Sequence, residues 1–269
     1  LNLDERLLAA AITERTRAIV PVHYGGVGCE MDAISRIAAE AGVAVVEDNA
    51  HGLFGAYRGR PLGTFGAMST LSFHETKNVF CGEGGALVVN DRRFAARAEI
   101  VREKGTDRSR FFRGEVDKYT WLDLGSSYVL SDILAAFLFA QLEQRAETQA
   151  ARERIWRRYR EELTEWAERR GVQLPVVPED RGPAHHLFHL LLPSLDERQA
   201  FIAHLRARGV HALFHYLPLH LSAMGQRFGG RAGQCPVAES VSDRVVRLPF
   251  FRALSEDEQA HIIEAVRSF

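Results

Sequence analysis

The chain has 269 residues, which is enough for one large domain or two modest ones. Its 34 basic and 35 acidic residues nearly cancel, so the charge gives no support for a nucleic-acid or membrane-surface partner. The 3 cysteines are far apart, which argues against a disulfide framework and predicts a reducing, cytoplasmic compartment. No apolar run approaches a membrane span. The opening Leu1–Asp4 has no initiator methionine and no leader pattern, so we expect the sequence to be the interior of a larger protein.

The first quarter of the chain predicts a β-α-β unit. Residues 17–24 read as a strand, and residues 30–41 have apolar positions at helical spacing before Gly42, a natural helix stop. Val43–Asp48 is a short, β-branched apolar run that is typical of a buried parallel strand. The two strands should therefore be parallel, with a right-handed crossover between them.

The remaining elements follow in order. We predict a glycine-rich loop with a hairpin at 57–61, strands at 68–73 and 86–90, a helix at 92–104, a polar and aromatic segment at 105–127, an apolar helix at 130–142 for the core or a dimer interface, and a long charged helix at 144–170. A second, smaller domain is expected to contain strands at 185–192, 210–216 and 244–250, and helices that begin after Ser194 and Ser255. We place the division between the two domains at residues 145 and 146.

Asp48 falls at the carboxyl end of its predicted strand, the edge of an open α/β sheet where ligands bind. A carboxylate at this position can hold a pyridine nitrogen in its protonated form, which makes a pyridoxal ring an electron sink. The alternative is an aspartate that caps a helix or stabilises a loop, which is equally common after a strand.

Lys77 follows the predicted strand at 68–73 and precedes the glycine cluster at 82–85. A lysine on a short connection between strands is partly shielded from water, and desolvation favours the neutral amine that Schiff-base chemistry needs. Alone it would more often be an ordinary surface lysine. Together, Lys77 and Asp48 match the two groups that a pyridoxal-phosphate transaminase requires.

Two other groups of residues are candidates for binding sites. His185, His186 and His189 alternate imperfectly and lack partners at metal-ligand spacing, so we predict no metal site. The arginines and aromatic residues of the 105–127 segment could bind phosphates and stack on a base or sugar. The alternative is an ordered loop packed against a partner subunit.

Three motifs resemble those of the DegT-type sugar aminotransferases of fold type I. They are Asp48-Asn49-Ala50-His51, Ser72-Phe73-His74-Glu75-Thr76-Lys77 and Gly82-Glu83-Gly84-Gly85. These enzymes use pyridoxal 5'-phosphate (PLP) to convert nucleotide-linked keto-sugars into amino-sugars. The resemblance implies an α/β fold with a mostly parallel sheet in a large domain, incomplete at its N-terminus, and a small α+β C-terminal domain. The stretch from Arg102 to Tyr128 is similar to a subgroup that aminates dTDP-4-keto-6-deoxyglucose with glutamate as donor, in cell-surface polysaccharide biosynthesis.

The resemblance also implies a role for each matching residue. Lys77 would form the Schiff base and shuttle the proton, while Asp48 would pair with the pyridine nitrogen. Ala50 would pack against one face of the ring. His51 stands where many members have a glutamine that binds the ring hydroxyl. Ser72 would donate a hydrogen bond to the cofactor phosphate.

The resemblance also implies a homodimer and a set of substrate contacts. Ser127 occupies the position of an asparagine that reaches the phosphate of the neighbouring subunit, so a homodimer with shared active sites is expected. Candidate substrate contacts are His74, Arg113, Lys118, Tyr119 and His220.

One departure from the family pattern concerns the phosphate. In the family, a stretch before the equivalent of Leu1 supplies a Gly-Thr backbone cradle for the phosphate and an aromatic residue that stacks on the ring. Backbone amides are what hold a phosphate, so we expect an N-terminally truncated chain with weakened affinity for PLP.

Three alternatives to an aminotransferase are each disfavoured by at least one feature of the sequence. PLP-dependent sugar dehydratases have histidine in place of the Schiff-base lysine, so Lys77 argues against one. A catalytically silent regulatory or dimerisation relative is favoured by the truncation and disfavoured by the intact Asp48 and Lys77. A dehydrogenase is disfavoured because no Gly-x-Gly-x-x-Gly turn follows a strand.

Overall fold

A computed structural model describes all 269 residues, which form two compact units. The first unit contains Leu1–Ala146 and Glu179–His186, and the second contains Glu147–Pro178 and Leu187–Phe269. The domain division after residue 145 stays a prediction. The structure groups the segment Glu179–His186, which lies beyond that division, with the first unit.

The first unit consists of short strands and helices. Its strands are β1 (Ala18–Ile19), β2 (Ala44–Asp48), β3 (Ala56–Tyr57), β4 (Arg60–Pro61), β5 (Met68–Ser72), β6 (Gly85–Val89) and β7 (Arg181–Gly182). Its helices are α1 (Leu8–Ala11), α2 (Met31–Ala41), α3 (Ala95–Arg102), α4 (Arg108–Phe112) and α5 (Asp132–Glu143), with 3-10 turns at Glu5–Leu7, Tyr24–Gly26 and Arg92–Phe94.

The main sheet of this unit has the strand order β1-β2-β5-β6. β1, β2 and β5 are parallel, with Ala18 opposite Ala44 and Asp48 opposite Thr70, whereas β6 is antiparallel to β5. The predicted parallel β-α-β unit and the mostly parallel sheet are thus confirmed. A consequence is that β1, β2 and β5 end at the same edge.

Helix α2 connects β1 to β2 and covers the sheet. It buries Met31, Ile34, Ile37 and Ala38, which recur at helical spacing and form a core with Val45 of β2. The helix ends at Gly42, which has a φ of 67°. Glycine adopts this left-handed conformation without the steric cost of a Cβ.

The predicted hairpin at 57–61 forms, and β7 extends it into a small antiparallel sheet in the order β4-β3-β7. β7 belongs to Glu179–His186, so a segment more than a hundred residues distant in sequence pairs with the hairpin. The Arg181 guanidinium lies 4.2 Å from the Tyr57 ring centre and donates to the Gly28 carbonyl at 3.0 Å. This strand pairing and these contacts hold the segment in the first unit.

Helix α5 carries apolar side chains on its surface. Ser131 caps it, and Leu138 is its only fully buried residue. Ile133 is 82% exposed and Phe139 is 64% exposed. The apolar run predicted for the core or an interface therefore leaves most of its side chains uncovered in the single chain.

The second unit is an antiparallel sheet with helices. Its elements are α6 (Arg145–Arg170, which begins in the first unit), β8 (His189–Leu191), α7 (Leu195–Arg206), β9 (Leu213–Phe214), α8 (Ala223–Arg227), α9 (Pro236–Arg244), β10 (Val245–Arg247) and α10 (Glu256–Arg267), with a 3-10 turn at Leu219–Leu221. The strands pair in the order β8-β10-β9. A continuous core joins them to α6, α7 and α10 through Tyr159, Phe188, Phe201 and Val266. None of the helices in either unit is long and apolar enough to cross a membrane.

Several predicted strands are shorter in the structure. The strand predicted at 17–24 contains Pro21, which has no N–H to donate, and only Ala18–Ile19 and a bridge from Val22 to Asp48 pair with β2. In the run 185–192, His185 has a φ of 48° and the strand begins at His189. The run 210–216 forms only the two-residue strand β9.

Candidate functional site

The candidate site lies at the edge where β2 and β5 end. Asp48 closes β2 and Ser72 closes β5, and the Asn49 amide donates to the Thr70 carbonyl at 3.0 Å. This edge is where parallel sheets bind ligands, because the chain leaves the sheet there and side chains from successive connections converge.

Asp48 is partly buried, and its backbone is held by the segment that follows β1. Its amide donates to the Pro21 carbonyl at 2.9 Å, and its carbonyl accepts from the His23 amide at 3.2 Å. The carboxylate Oδ1 accepts from the Ala50 amide at 3.1 Å. This contact is the local turn that an aspartate makes after a strand, and it fixes the direction of the carboxylate.

Lys77 lies on the connection between β5 and β6 and is half-buried. The Lys77 amide donates to the His74 carbonyl at 2.9 Å, and the Phe73 amide donates to the Gly84 carbonyl at 2.8 Å. Buried Val79 and Cys81 anchor the connection in a core with Phe73 and Leu138. The turn that carries the amine is therefore ordered by its own backbone and by packing.

Side-chain contacts link the end of β2 to the connection that carries Lys77. The His51 ring stacks on the His186 ring with centres 4.1 Å apart, and His186 Nδ1 lies 2.9 Å from Asn78 Oδ1. Asn78 directly follows Lys77. The Gly25 amide donates to His51 Nδ1 at 3.3 Å. The structure thus places Asp48, Ala50, His51 and Lys77 around one edge of the sheet.

The residue before Asp48 anchors this edge, a role that the sequence analysis did not identify. The Glu47 carboxylate is fully buried and accepts from the amides of Gly63, Phe65 and Gly66, each at 2.7 Å. Its Oε2 also lies 3.0 Å from His23 Nε2. Burial would raise the pKa of Glu47, but these four donors outweigh it and hold the pKa below its usual value.

His23 is oriented by a second contact. The Cys29 amide donates to His23 Nδ1 at 3.1 Å, so the proton of the neutral ring is on Nε2, facing Glu47. The alternation of apolar residues in β2 could have indicated a buried Glu47, because Val45 and Glu47 share one face of the strand.

The other predicted residues of this edge are at the end of β5. Ser72 Oγ accepts from the His74 amide at 3.4 Å, which leaves the hydroxyl proton to donate elsewhere. His74 Nδ1 lies 3.0 Å from Thr76 Oγ1, and His74 Nε2 lies 3.7 Å from the Glu83 carboxylate. Both side chains are partly exposed at the turn that leads to Lys77.

The predicted residues of the 105–127 segment lie apart from this group. Arg113 forms a bidentate pair with Glu99 at 3.0 Å for each contact and also pairs with Glu115. Lys118, Tyr119 and Ser127 are exposed. The backbone of Ser127 forms an antiparallel β-bridge with that of Glu103, which follows α3. These positions line the segment's own surface, where a partner or a ligand could reach them.

His220 belongs to the second unit. Its Nε2 lies 2.8 Å from Glu239, whose carboxylate also accepts from the Gly233 amide at 3.0 Å. Backbone hydrogen bonds, chiefly from Gly233, and the His220 ring hold the pKa of Glu239 below its usual value. No cluster of three or more His, Cys, Asp or Glu side chains is arranged to hold a metal ion.

The donors and acceptors at the sheet edge fit PLP. Lys77 offers an amine for the aldehyde, Asp48 a carboxylate for the pyridine nitrogen, and Ser72 a hydroxyl for the phosphate. His51 accepts from Gly25 through Nδ1, so its Nε2–H is the donor that a ring hydroxyl oxygen requires. A mostly parallel sheet with this set of groups at its carboxyl edge defines a fold type I PLP-dependent transferase.

Comparison with known proteins gives the family. The model of the DegT/DnrJ/EryC1/StrS aminotransferase family matches residues 1–267, and the chain belongs to this family of PLP-dependent enzymes that transaminate nucleotide-linked keto-sugars. It is 34% identical over 270 residues to dTDP-3-amino-3,4,6-trideoxy-alpha-D-glucose transaminase of Streptomyces venezuelae, covering 100% of this chain and 67% of that protein. It is 32% identical over 276 residues to the pleiotropic regulatory protein of Geobacillus stearothermophilus, covering 100% and 69%.

A solved structure agrees with the fold. The X-ray structure of S. venezuelae DesV in complex with a ketimine intermediate has a TM-score of 0.88 and 33% identity, covering 99% of this chain and 68% of that chain. The predicted fold class and cofactor are confirmed by these relatives. The roles of the individual site residues stay predictions.

Proposed function

We propose that this protein transfers the amino group of glutamate to the C4 ketone of a nucleotide-linked 4-keto-6-deoxy sugar. The substrate we propose is dTDP-4-keto-6-deoxyglucose, and the activity is that of dTDP-4-amino-4,6-dideoxygalactose transaminase. The observation that carries the proposal is the placement of Asp48 as the last residue of β2 and of Lys77 on the connection that follows the adjacent parallel strand β5. The resemblance of the stretch from Arg102 to Tyr128 supports the choice of sugar.

Each side chain has a distinct task in this reaction. When bound, PLP supplies an electron sink that stabilises negative charge at the carbon from which a proton is removed. The Lys77 amine takes the proton from Cα of glutamate and, in the second half-reaction, delivers a proton to C4 of the sugar. The Asp48 carboxylate keeps a proton on the nitrogen that it faces, and the His51 Nε2–H and the Ser72 hydroxyl orient the ligand by hydrogen bonds.

We also propose a homodimer with shared active sites. The support is the uncovered apolar surface of α5, where Ile133, Phe137 and Phe139 are all exposed. Ser127 is likewise exposed, as a residue that serves a neighbouring subunit must be before assembly. Sedimentation at micromolar concentration should give twice the 30.1 kDa mass of the chain, and a monomer would contradict the shared site.

The proposed function is tested by measuring the transfer of labelled nitrogen from glutamate to the sugar. The chain is incubated with PLP, 15N-labelled glutamate and dTDP-4-keto-6-deoxyglucose, and label in the sugar product is measured by mass spectrometry. Lys77→Arg should abolish transfer, since proton transfer by a positioned side chain is worth about 10²–10⁴ in rate. Asp48→Asn should lower kcat by about a hundredfold or more, since electrostatic stabilisation of developing charge is worth about 10²–10³. Lys104→Arg is the matched lysine control, and it should leave transfer unchanged.

A second candidate is a regulatory relative without catalysis, favoured by the similarity to the G. stearothermophilus protein named as a regulator. The same assay separates the two. If the wild-type chain transfers no label to any keto-sugar nucleotide and shows no PLP absorbance that Lys77→Arg removes, the catalytic proposal is wrong.

A further inference from the structure

Asn78, the residue next to Lys77, has an amide group whose orientation is set by its surroundings. Its Nδ2 donates to the Ala184 carbonyl at 2.7 Å. Only the NH₂ end can face a carbonyl, so Oδ1 faces His186, whose Nδ1 lies 2.9 Å away. Because Oδ1 is an acceptor, Nδ1 of His186 must carry the proton.

His186 in turn sets the position of the His51 ring. The two rings are stacked with centres 4.1 Å apart and an angle of 22° between their planes. The Gly25 amide donates to His51 Nδ1, so His51 carries its proton on Nε2. The neighbouring histidines therefore hold opposite tautomers, each fixed by a different partner.

The segment that ends in His186 is also held by contacts away from the end of β2 and the Lys77 connection. His186 closes the segment Glu179–His186, whose Arg181 side chain is 4% exposed and contacts Gly28, Glu30 and Tyr57. Closer to His186, the Ala184 amide donates to the Gly26 carbonyl at 2.8 Å. The segment is thus a rigid support that reaches the end of β2 and the Lys77 connection together.

We propose that His186 is a positioning residue of the cofactor site, because with Asn78 it holds the His51 ring and the Lys77 turn at a fixed separation. The proposal rests on the proposed function and deepens it. His51 donates to the ring hydroxyl oxygen and Lys77 bears the amine, so the spacing of these two groups must match substituents on neighbouring ring carbons. His186 acts through His51 and Asn78 and itself touches neither the cofactor nor the substrate.

The first experiment needs no cofactor. In the 15N spectrum of the apo chain with labelled histidine, His51 should have the Nε2–H tautomer and His186 the Nδ1–H tautomer. In Asn78→Ala, His186 should become a tautomer mixture and the His51 signals should shift. If both histidines keep their wild-type 15N shifts in Asn78→Ala, the proposed connection does not exist.

The second experiment measures binding of pyridoxamine phosphate, which does not require a bond to Lys77. Asn78→Ala should raise its Kd by about tenfold, or about 1.4 kcal/mol. His186→Phe keeps an aromatic ring that can stack on His51 and removes the hydrogen bond to Asn78, so it should also raise the Kd, by less than Asn78→Ala. Asn90→Ala is the matched control, because Asn90 also bonds two groups of the first unit, the carbonyls of Gly63 and Gly66.

The outcomes separate the two proposals. Equal Kd values in Asn78→Ala and Asn90→Ala would show that loss of an asparagine matters only to stability, and would overturn the positioning role. Failure of the wild-type chain to bind pyridoxamine phosphate would contradict the proposed function itself.

Discussion

The most direct test of how this fold supports its site is the substitution Glu47→Gln. The wild-type carboxylate is buried and accepts four hydrogen bonds, two on each oxygen. Oε1 accepts from Phe65 and Gly66, while Oε2 accepts from Gly63 and from His23 Nε2. A glutamine has nearly the same shape but only one acceptor oxygen.

The size of the effect follows from this geometry. In either orientation of the amide, its NH₂ group faces two N–H donors that can turn to no other acceptor. His23 cannot adapt by changing its tautomer, because the Cys29 amide occupies Nδ1. Each orphaned buried donor costs about 1–3 kcal/mol. The removal of a buried charge offsets part of the loss, so we expect destabilisation by about 2–4 kcal/mol.

Urea unfolding measures the total effect, and hydrogen exchange locates it. The amides of Gly63, Phe65 and Gly66 should exchange faster in Glu47→Gln. Glu40→Gln is the matched control, since the Glu40 side chain is 65% exposed in an i,i+4 pair with Arg36 and its loss should cost less than about 0.5 kcal/mol. If the free energy of unfolding of Glu47→Gln lay within that same limit of the wild-type value, the reasoning would be refuted.

The pH dependence provides an independent check. The folded pKa of Glu47 is below its usual value, so its contribution to stability is fully present above the unfolded pKa of about 4.3. The contribution is lost as the pH falls below that value, through the folded pKa. In Glu47→Gln, the free energy of unfolding should therefore decrease less between pH 5 and pH 3 than in the wild type. An identical decrease in the two proteins would contradict the role given to the Glu47 carboxylate.

Two further predictions concern other positions. Gly26 has a φ of 87°, and a Cβ there would lie 2.9 Å from the Ala184 Cβ and 3.1 Å from the His51 carbonyl oxygen. Gly26→Ala should lower the free energy of unfolding in urea by about 1–3 kcal/mol. Gly59→Ala should lower it by less, because Gly59 also has a positive φ but a Cβ there would have no neighbour within 4 Å. Burial lowers the pKa of His189 to about 4. As the pH falls, the unfolded chain therefore binds a proton at this histidine before the folded chain does. The urea concentration at the unfolding midpoint of the second unit should decrease as the pH is lowered from about 6.5 to about 4. His189→Phe should flatten that slope, and an unaltered slope would show that His189 does not titrate this way.

Local sequence patterns predicted most of the elements that support the site. The helical spacing in α2, its glycine stop and the β-branched run of β2 are short-range signals, and each reflects burial of one face or an obligatory backbone conformation. The position of Asp48 followed from the end of such a run. Parallel pairing then placed Asp48 near the end of β5, because a crossover helix brings successive strands to a common edge.

The extent of several strands was not predictable by the same means. The runs at 17–24 and 185–192 also include buried residues that lie outside the strands, such as His23 and His186. Hydrophobicity reports burial, and it does not distinguish a strand from an irregular segment that packs against a sheet. Pairing depends on the neighbouring strand, which lies elsewhere in the sequence.

The contacts among His51, His186 and Asn78 were likewise not predictable from local sequence. Asn78 and His186 are separated by 108 residues, and no local pattern connects them. Their contact depends on β7 joining the hairpin strand β3 and on Arg181 packing over Tyr57, both of which are long-range events. The sequence predicted residues for the reactive groups, whereas the residues proposed to set their separation could be found only in the structure.

The predicted substrate contact Arg113 shows how local ion pairs bear on a binding role. The sequence suggested a phosphate ligand, and the structure pairs this guanidinium with Glu99 and Glu115. Exposed ion pairs of this kind contribute only about 0.2–1 kcal/mol each. A nucleotide phosphate offers a bidentate partner of higher charge, and it would replace Glu115 at small cost. The ion pairs with Glu99 and Glu115 are therefore compatible with the phosphate-binding role of Arg113, which stays a prediction.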